Sequence, residues 1–230
     1  MKLRNLLPLV FLTVFVSAEA AEEIPLGIEV VTGYRSEYIQ RGFKWANSVV
    51  DVQAEAEIAL TDDIIANLGA WYTTATGAGD FSEAAAAGGI RWEDENLTLA
   101  LDMTWRSLNN SVYEDGLDIA PSIAWQFNED FGIAGGLAWD TGADGLYAFA
   151  ETRWSHPLGL TSFLSADAGL SCVSDYYDRS GLNDLYARIS YTKVLNRSVS
   201  ITPFAGTSIP LQSDGETNRL FGGIWFEVNF

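Results

Sequence analysis

The sequence predicts an all-β protein: an up-and-down antiparallel transmembrane β-barrel of about 12 strands, preceded by a cleaved signal peptide. Three observations predict this fold. The last residues, Arg219 to Phe230, alternate apolar and mixed side chains and stop on an aromatic ring. Segments of roughly 11 residues alternate the same way along the whole chain, which matches the ~9–11 that a tilted membrane strand needs. The connectors between them are very short, then longer, in turn, as hairpins with tight turns at one rim and larger loops at the other require.

The closing segment carries the clearest pattern. Leu220, Ile224, Phe226, Val228 and Phe230 are apolar at every second position, and Gly222 fills the one gap. Gly223, Glu227 and Asn229 interleave with them. Period two places these sets on opposite faces of a strand. In a barrel, the apolar face of the last strand meets lipid while its edge is paired.

The other end reads as a targeting segment. Lys2 and Arg4 are basic, Leu6 to Val16 is apolar but for Pro8 and Thr13, and Ala18-Glu19-Ala20 supplies a small-x-small cleavage site. This predicts a signal peptide over 1–20 and a barrel over 21–230. The apolar run is shorter than the ~20 residues of a spanning helix. No later apolar run reaches that length, so a membrane-crossing chain must do so as a closed barrel.

Composition excludes several classes. Hydrophobic residues make up 48%, while Lys+Arg total 13 against 31 Asp+Glu, a net charge of -18. Such an excess of acid argues against nucleic acid and anionic membrane surfaces as partners. The one cysteine, Cys172, cannot form an internal disulfide.

The strands follow in order. Leu26–Ile39 alternates Ile28, Val30, Tyr34 and Tyr38 against Glu29, Arg35 and Glu37. Gln40–Asn47 reads as a break. Val49–Leu60 sets Val50, Val52, Ala54, Ala56 and Ile58 against Asp51, Gln53, Glu55 and Glu57. Further strands are predicted over Ile64–Thr76, Glu83–Glu93, Leu97–Leu108, Gly116–Phe127 and Phe131–Thr141. The remainder fall at Leu146–His156, Thr161–Ser174, Leu182–Lys193, Ser198–Ile209 and the closing segment. An even count puts both termini at the short-turn, periplasmic rim.

Aromatic placement supports the same picture. Trp92, Phe127, Phe131, Trp154, Tyr191 and Phe230 lie beside short turns or the terminus; Tyr38, Tyr72, Trp105 and Trp139 lie beside longer loops. On the expected lipid face these form two girdles, where an apolar ring with a polar tip suits the membrane interface.

The stretch Thr32 to Phe43, with Tyr38 three residues before Arg41-Gly42, resembles the first strand and loop of the TorF-type porin family. Chain length and the Phe-terminated last strand agree with that resemblance, which is specific over the first-strand block alone. It implies an outer-membrane barrel acting as a pore, and brings no catalytic residues, cofactor or metal. It also implies that the terminus, with Phe226, Val228 and Phe230, is read as an assembly signal by the barrel assembly machinery. From the residues themselves, Gly42 suits a turn out of strand one, and Arg41 sits at the rim within reach of an acid.

Alternation then assigns the lumen. Its acids are Glu29, Glu37, Asp51, Glu55, Glu57, Glu83, Glu93, Asp102, Asp118, Asp140, Glu151, Asp167, Asp184 and Glu227, and its cations Arg35, Arg91, Arg106, Arg153 and Arg188. Arg–acid pairs across neighbouring strands, such as Arg106 with Asp118, account for the arginines and leave an excess of carboxylates. Acid-lined walls favour cations. Asp51, Glu55 and Glu57, beside Glu29, Arg35 and Glu37, form the expected selectivity stripe. No segment is left over to plug a bore of intermediate width.

These readings predict a porin-like channel for passive diffusion of small hydrophilic solutes, with a preference for cations. The alternative is a structural or adhesive barrel whose lumen is closed by side chains. Expected partners are outer-membrane lipid, lipopolysaccharide, the assembly machinery and small solutes; Asp175, Asp178, Asp214 and Glu216 are placed to bridge divalent ions to lipopolysaccharide. An enzyme is disfavoured, since the lone histidine, His156, adjoins Pro157 at a short turn. Asp140 to Glu151 has the spacing of a calcium loop, but Gly142 occupies a ligand position and the flanks are strands.

Overall fold

The computed structural model describes residues 26–77, 79–109, 112–212 and 217–230. The expected signal peptide over 1–20 and the loop acids Asp214 and Glu216 lie outside the described residues. The strands are β1 Leu26–Gln40, β2 Phe43–Ala59, β3 Ile64–Ala75, β4 Ser82–Glu93, β5 Leu97–Asn109 and β6 Gly116–Gln126. They continue with β7 Phe131–Asp140, β8 Gly145–Gly159, β9 Ser162–Tyr176, β10 Arg179–Asn196, β11 Val199–Pro210 and β12 Arg219–Asn229. Each pairs antiparallel with its sequence neighbours, and β1 also pairs with β12, so the sheet closes into a barrel with no free edge.

The alternation works as the sequence implies. Val52, Leu99, Leu101, Met103, Ile123, Ile133 and Ile189 are exposed on the outer wall. Glu83, Arg106, Asp118, Asp140 and Asp184 are buried on the inner one. Outward rings at Trp92, Phe127, Phe131, Tyr191 and Phe230 lie at the short-turn rim, and Tyr72, Trp105 and Trp139 nearer the opposite, loop rim.

Two expected loops are not loops. The break expected over Gln40–Asn47 is a two-residue hairpin turn, with Gln40 paired to Phe43 and Arg41 and Gly42 at φ 52° and 81°. The loop expected over Asp175–Gly181 is a second such turn: Tyr176 pairs with Arg179, and Tyr177 and Asp178 take φ 49° and 63°. Positive φ at both central positions matches the twist of paired strands, and Asn or Gly usually marks it. Gly42 and Asp178 suit the second central position, but Arg41 and Tyr177 give no mark at the first, and the strands around both turns run longer than the sequence suggests.

The longer β1–β2 hairpin also changes phase. Ser48 takes φ 46° with no ladder pair between Arg35↔Val49 and Glu37↔Asn47, and the register shifts by one residue between Tyr38↔Ala46 and Ile39↔Lys44. A left-handed residue inside a strand re-aims the side chains beyond it. Tyr38, expected in the lipid girdle, is therefore turned inward and only 4% exposed.

Candidate functional site

The lumen is shaped by the β1–β2 tip, which leans into it at the loop rim. At Gly42 a β-carbon would come within 2.6 Å of Asn183 Nδ2 and 2.9 Å of Asp184 Cγ, both on β10 across the barrel. Only glycine combines that approach with φ 81°. Asn183 donates from Nδ2 to the Arg41 carbonyl at 2.9 Å, which fixes the tip against β10. The expectation that nothing plugs the lumen is thus corrected: the first hairpin does so in part.

Arg41 reaches past the tip into a cluster of charges. Its guanidinium bonds Asp118 on β6, Asp140 on β7 at 3.3 Å, and the Tyr176 hydroxyl at 3.2 Å. Arg106 on β5 meets the same acids, Asp118 at 3.2 Å and Asp140 at 3.6 Å, and Glu83 at 3.4 Å. Glu83 also accepts from Tyr38 at 2.6 Å and from the Trp71 indole at 3.1 Å. Charges this well buried persist because each lies against opposite charges, and Asp118, Asp140 and Glu83 also accept hydrogen bonds, although Arg106 Nε and Asp118 Oδ1 have no hydrogen-bond partner among the described residues. Asp140 is committed to this cluster, and its other oxygen accepts the Gly142 amide at 2.9 Å, so the calcium-loop spacing has no free first ligand. Among the described residues no group of acids, His or Cys is arranged to hold a metal.

Above the cluster, rings close the loop rim. Trp45 stacks on Tyr113 at 4.9 Å, Tyr113 meets Tyr177 at 5.1 Å, Phe43 meets Tyr176 at 5.5 Å, and Tyr38 meets Phe81 at 5.7 Å. These rings come from four of the six loop-rim connectors and the strands beside them.

Beside the tip, β1 and β8–β12 enclose a chamber of about 380 Å³. Arg35, Arg41 and Arg188 line it with Glu151, Asp167 and Asp184, and so do the rings of Phe149, Tyr186, Phe204, Phe221 and Trp225. Each of these rings faces a glycine directly across the ladder: Phe149 and Gly136, Tyr186 and Gly169, Phe204 and Gly223, Phe221 and Gly206, Trp225 and Gly33. The missing side chains let the rings lie against the wall and leave the centre open.

The expected selectivity residues divide into two kinds. Asp51 is held by Arg35 through two bonds, at 2.7 Å and 2.5 Å, and by Thr73 at 2.6 Å. Glu57 is paired with Arg91, which also holds Glu93 at 2.7 Å. Glu151 pairs with Arg153 at 2.7 Å, and Glu37 with Lys44 at 2.6 Å. By contrast, Glu29, Glu55, Asp102, Asp167, Asp184 and Glu227 form no ion pair among the described residues. Glu55 accepts only from Gln53 and Asn67 at 3.5 Å and 3.4 Å, and Glu227 from Ser200 at 2.5 Å. Glu29 and Glu55 face each other directly across the ladder, and Glu227 lies close by on β12.

Two cations are missing from the lumen set that alternation assigns: Arg41, expected only at the rim within reach of an acid, and Lys44, because both fall in the supposed break. An arginine immediately before a glycine, flanked by aromatic residues, was the available signal. The expected pairing also fails at Arg188. It lies across the ladder from Asp167, but its guanidinium packs 4.5 Å from both the Phe204 and Trp225 rings and forms no ion pair among the described residues. Cys172 and His156 lie outside the lumen network: Cys172 is exposed, and His156 contacts Asp130 at 3.2 Å near the short-turn rim.

No protein-family model matches the chain, and no curated protein matches it in sequence. Solved structures do resemble it in fold. The KdgM porin superposes with a TM-score of 0.60 at 6% identity, covering 89% of this chain and 99% of that one. An outer-membrane channel from Pseudomonas putida F1 gives 0.57 at 11% identity, covering 91% and 97%. The NanC porin gives 0.56 at 9% identity, covering 88% and 98%. The fold is that of an outer-membrane porin-like barrel of twelve strands.

Proposed function

We propose that this barrel is an outer-membrane, porin-like channel for passive diffusion of small hydrophilic solutes, with a preference for cations. The observation that carries this reading is the chamber beside the β1–β2 tip, a polar, charged space inside a wall of lipid-compatible side chains. The likeness to the KdgM and NanC porins supports it at the level of fold. The cation preference rests on charge. Fourteen lumen carboxylates stand against seven cations, namely Arg35, Arg41, Lys44, Arg91, Arg106, Arg153 and Arg188. The narrower TorF-type assignment rests on the Tyr38 to Gly42 block. The lipid wall, lipopolysaccharide beside Asp175 and Asp178, and an assembly machinery reading Phe226, Val228 and Phe230 belong to the same proposal.

One observation favours a second reading. The tip and the ring cluster occupy the loop end of the lumen, as a structural barrel closed by its own side chains would have it. Planar bilayers in a potassium chloride gradient separate the two. Stepwise conductance with a reversal potential toward potassium supports the channel; a silent membrane containing heat-modifiable, folded protein supports the closed barrel. A protein recovered in the soluble periplasmic fraction, with no gel shift on boiling, overturns both.

A further inference from the structure

Asp167 and Arg188 are ladder partners on β9 and β10, both line the chamber, and they do not pair with each other. Arg188 turns away from β9, toward β11 and β12, where Phe204 and Trp225 hold its guanidinium face at 4.5 Å. Its Nε is buried without an acceptor among the described residues. Arg35 and Arg41 reach the same chamber, but Asp51 and Asp118 already occupy them. The chamber therefore offers one uncommitted cation and one uncommitted carboxylate, set apart on adjoining stretches of wall.

The geometry points to a binding site for a small zwitterion of α-amino-acid type, its carboxylate on Arg188 and its ammonium on Asp167. This rests on the channel reading and names a solute class for it. A bare anion in the chamber meets Asp167, Asp184 and Glu151; a bare cation meets Arg188. An anion thus gains the Arg188 contact but faces carboxylates, a cation gains the Asp167 contact but faces Arg188, and a zwitterion alone gains both contacts, which is how specificity arises from repulsive elements. Neutralising either charge leaves the other, half-buried in the wall, without its partner, so both charges of the ligand are required. The volume fits such a solute: about 380 Å³ equals roughly a dozen waters at ~30 Å³ each. The ring wall of Phe204 and Trp225 gives a short side chain an apolar surface.

The test is calorimetric titration of the purified, detergent-solubilised barrel with L-alanine, propionate and ethylamine. The expected result is saturable millimolar binding of L-alanine, with propionate and ethylamine each at least about tenfold weaker. Arg188→Gln and Asp167→Asn should each weaken L-alanine binding by a similar factor. The ligand series on the unaltered protein decides the matter even where a variant fails to assemble. Propionate binding as tightly as L-alanine, with Asp167→Asn silent, would reduce the site to an anion site and overturn the proposal, as would the absence of L-alanine binding. In bilayers, L-alanine should lower the potassium current of the unaltered barrel and leave that of Arg188→Gln unchanged. Calorimetric binding without any bilayer conductance would sink the channel reading and leave the site standing.

Discussion

Gly33 on β1 lies directly across the closing seam from Trp225 on β12, and the indole fills the space that a side chain on Gly33 would need. A β-carbon there would overlap the Trp225 ring and come within 2.6 Å of the Ile224 carbonyl oxygen. The seam is thus keyed by a ring lying over a glycine. Gly33→Val should cost about 1–3 kcal/mol through overpacking. It should lower the temperature at which the folded gel band is lost. Gly27→Val, where nothing lies within 4 Å, is the control and should leave that temperature unchanged.

Arg41 links the tip to β6 and β7. Arg41→Ala removes one of two cations from Asp118 and Asp140, whose side chains are 4% and 5% exposed. Breaking a buried ion pair costs about 3–5 kcal/mol, and Arg106, still in place, puts the expectation near the lower end. Denaturant unfolding in detergent measures it. With the tip freed, single-channel conductance should rise. An unaltered conductance in a correctly folded variant would show that the tip does not limit the passage.

The acids of the expected selectivity stripe should not behave alike. Glu29→Gln removes a like-charge pair with Glu55 directly across the ladder, so it should stabilise the barrel by about 0.2–1 kcal/mol. Asp51→Asn strips Arg35 of its two-point partner and should destabilise. Both should move the reversal potential toward zero. That shift should shrink in concentrated salt, since the Debye length falls from ~8 Å at physiological strength to ~3 Å at 1 M. Equal stability changes of one sign would refute the division into paired and unpaired acids.

At the terminus, Phe230 donates its amide to the Ile28 carbonyl at 2.9 Å, extending the seam beyond β12, and its ring is exposed on the outer wall. Phe230→Asp places a charge at the membrane interface of that seam. Assembly should fail, read as loss of the heat-modifiable band from the outer-membrane fraction. Normal assembly would remove Phe230 from the proposed assembly signal.

The sequence carried the barrel because a strand's two faces are written every second residue, and each wall segment needs only its own alternation. Val50 to Ile58 and Leu97 to Trp105 could be placed on lipid-facing walls from that alone. Three features lay beyond it. The αL turns at Arg41 and Tyr177 use residues that do not advertise positive φ. The irregularity of the first hairpin, with Ser48 at positive φ and a register shift between Tyr38 and Ile39, is carried by residues common in any strand, so Tyr38 was placed on the wrong face. The contacts across the lumen join residues far apart in sequence, Arg41 to Asp118 over 77 positions and Asn183 to Arg41 over 142. Neighbouring-strand logic found Arg106 with Asp118, but it had no way to bring the first hairpin to the sixth, seventh and tenth strands. The same limit hid Arg188, whose ladder partner is Asp167 but whose true neighbours are two rings.

The tip's anchorage also sets an order of events in assembly. Arg41 and Gly42 emerge early from the chain, yet their partners on β10 arrive some 140 residues later, and β12 must then join β1. Until β10 is present the first hairpin has nothing to lean on. Docking of the tip therefore waits for β10, close to the end of the chain. Such distant pairings give slow maturation, and this chain should show one late, cooperative transition rather than a ladder of strand-by-strand intermediates.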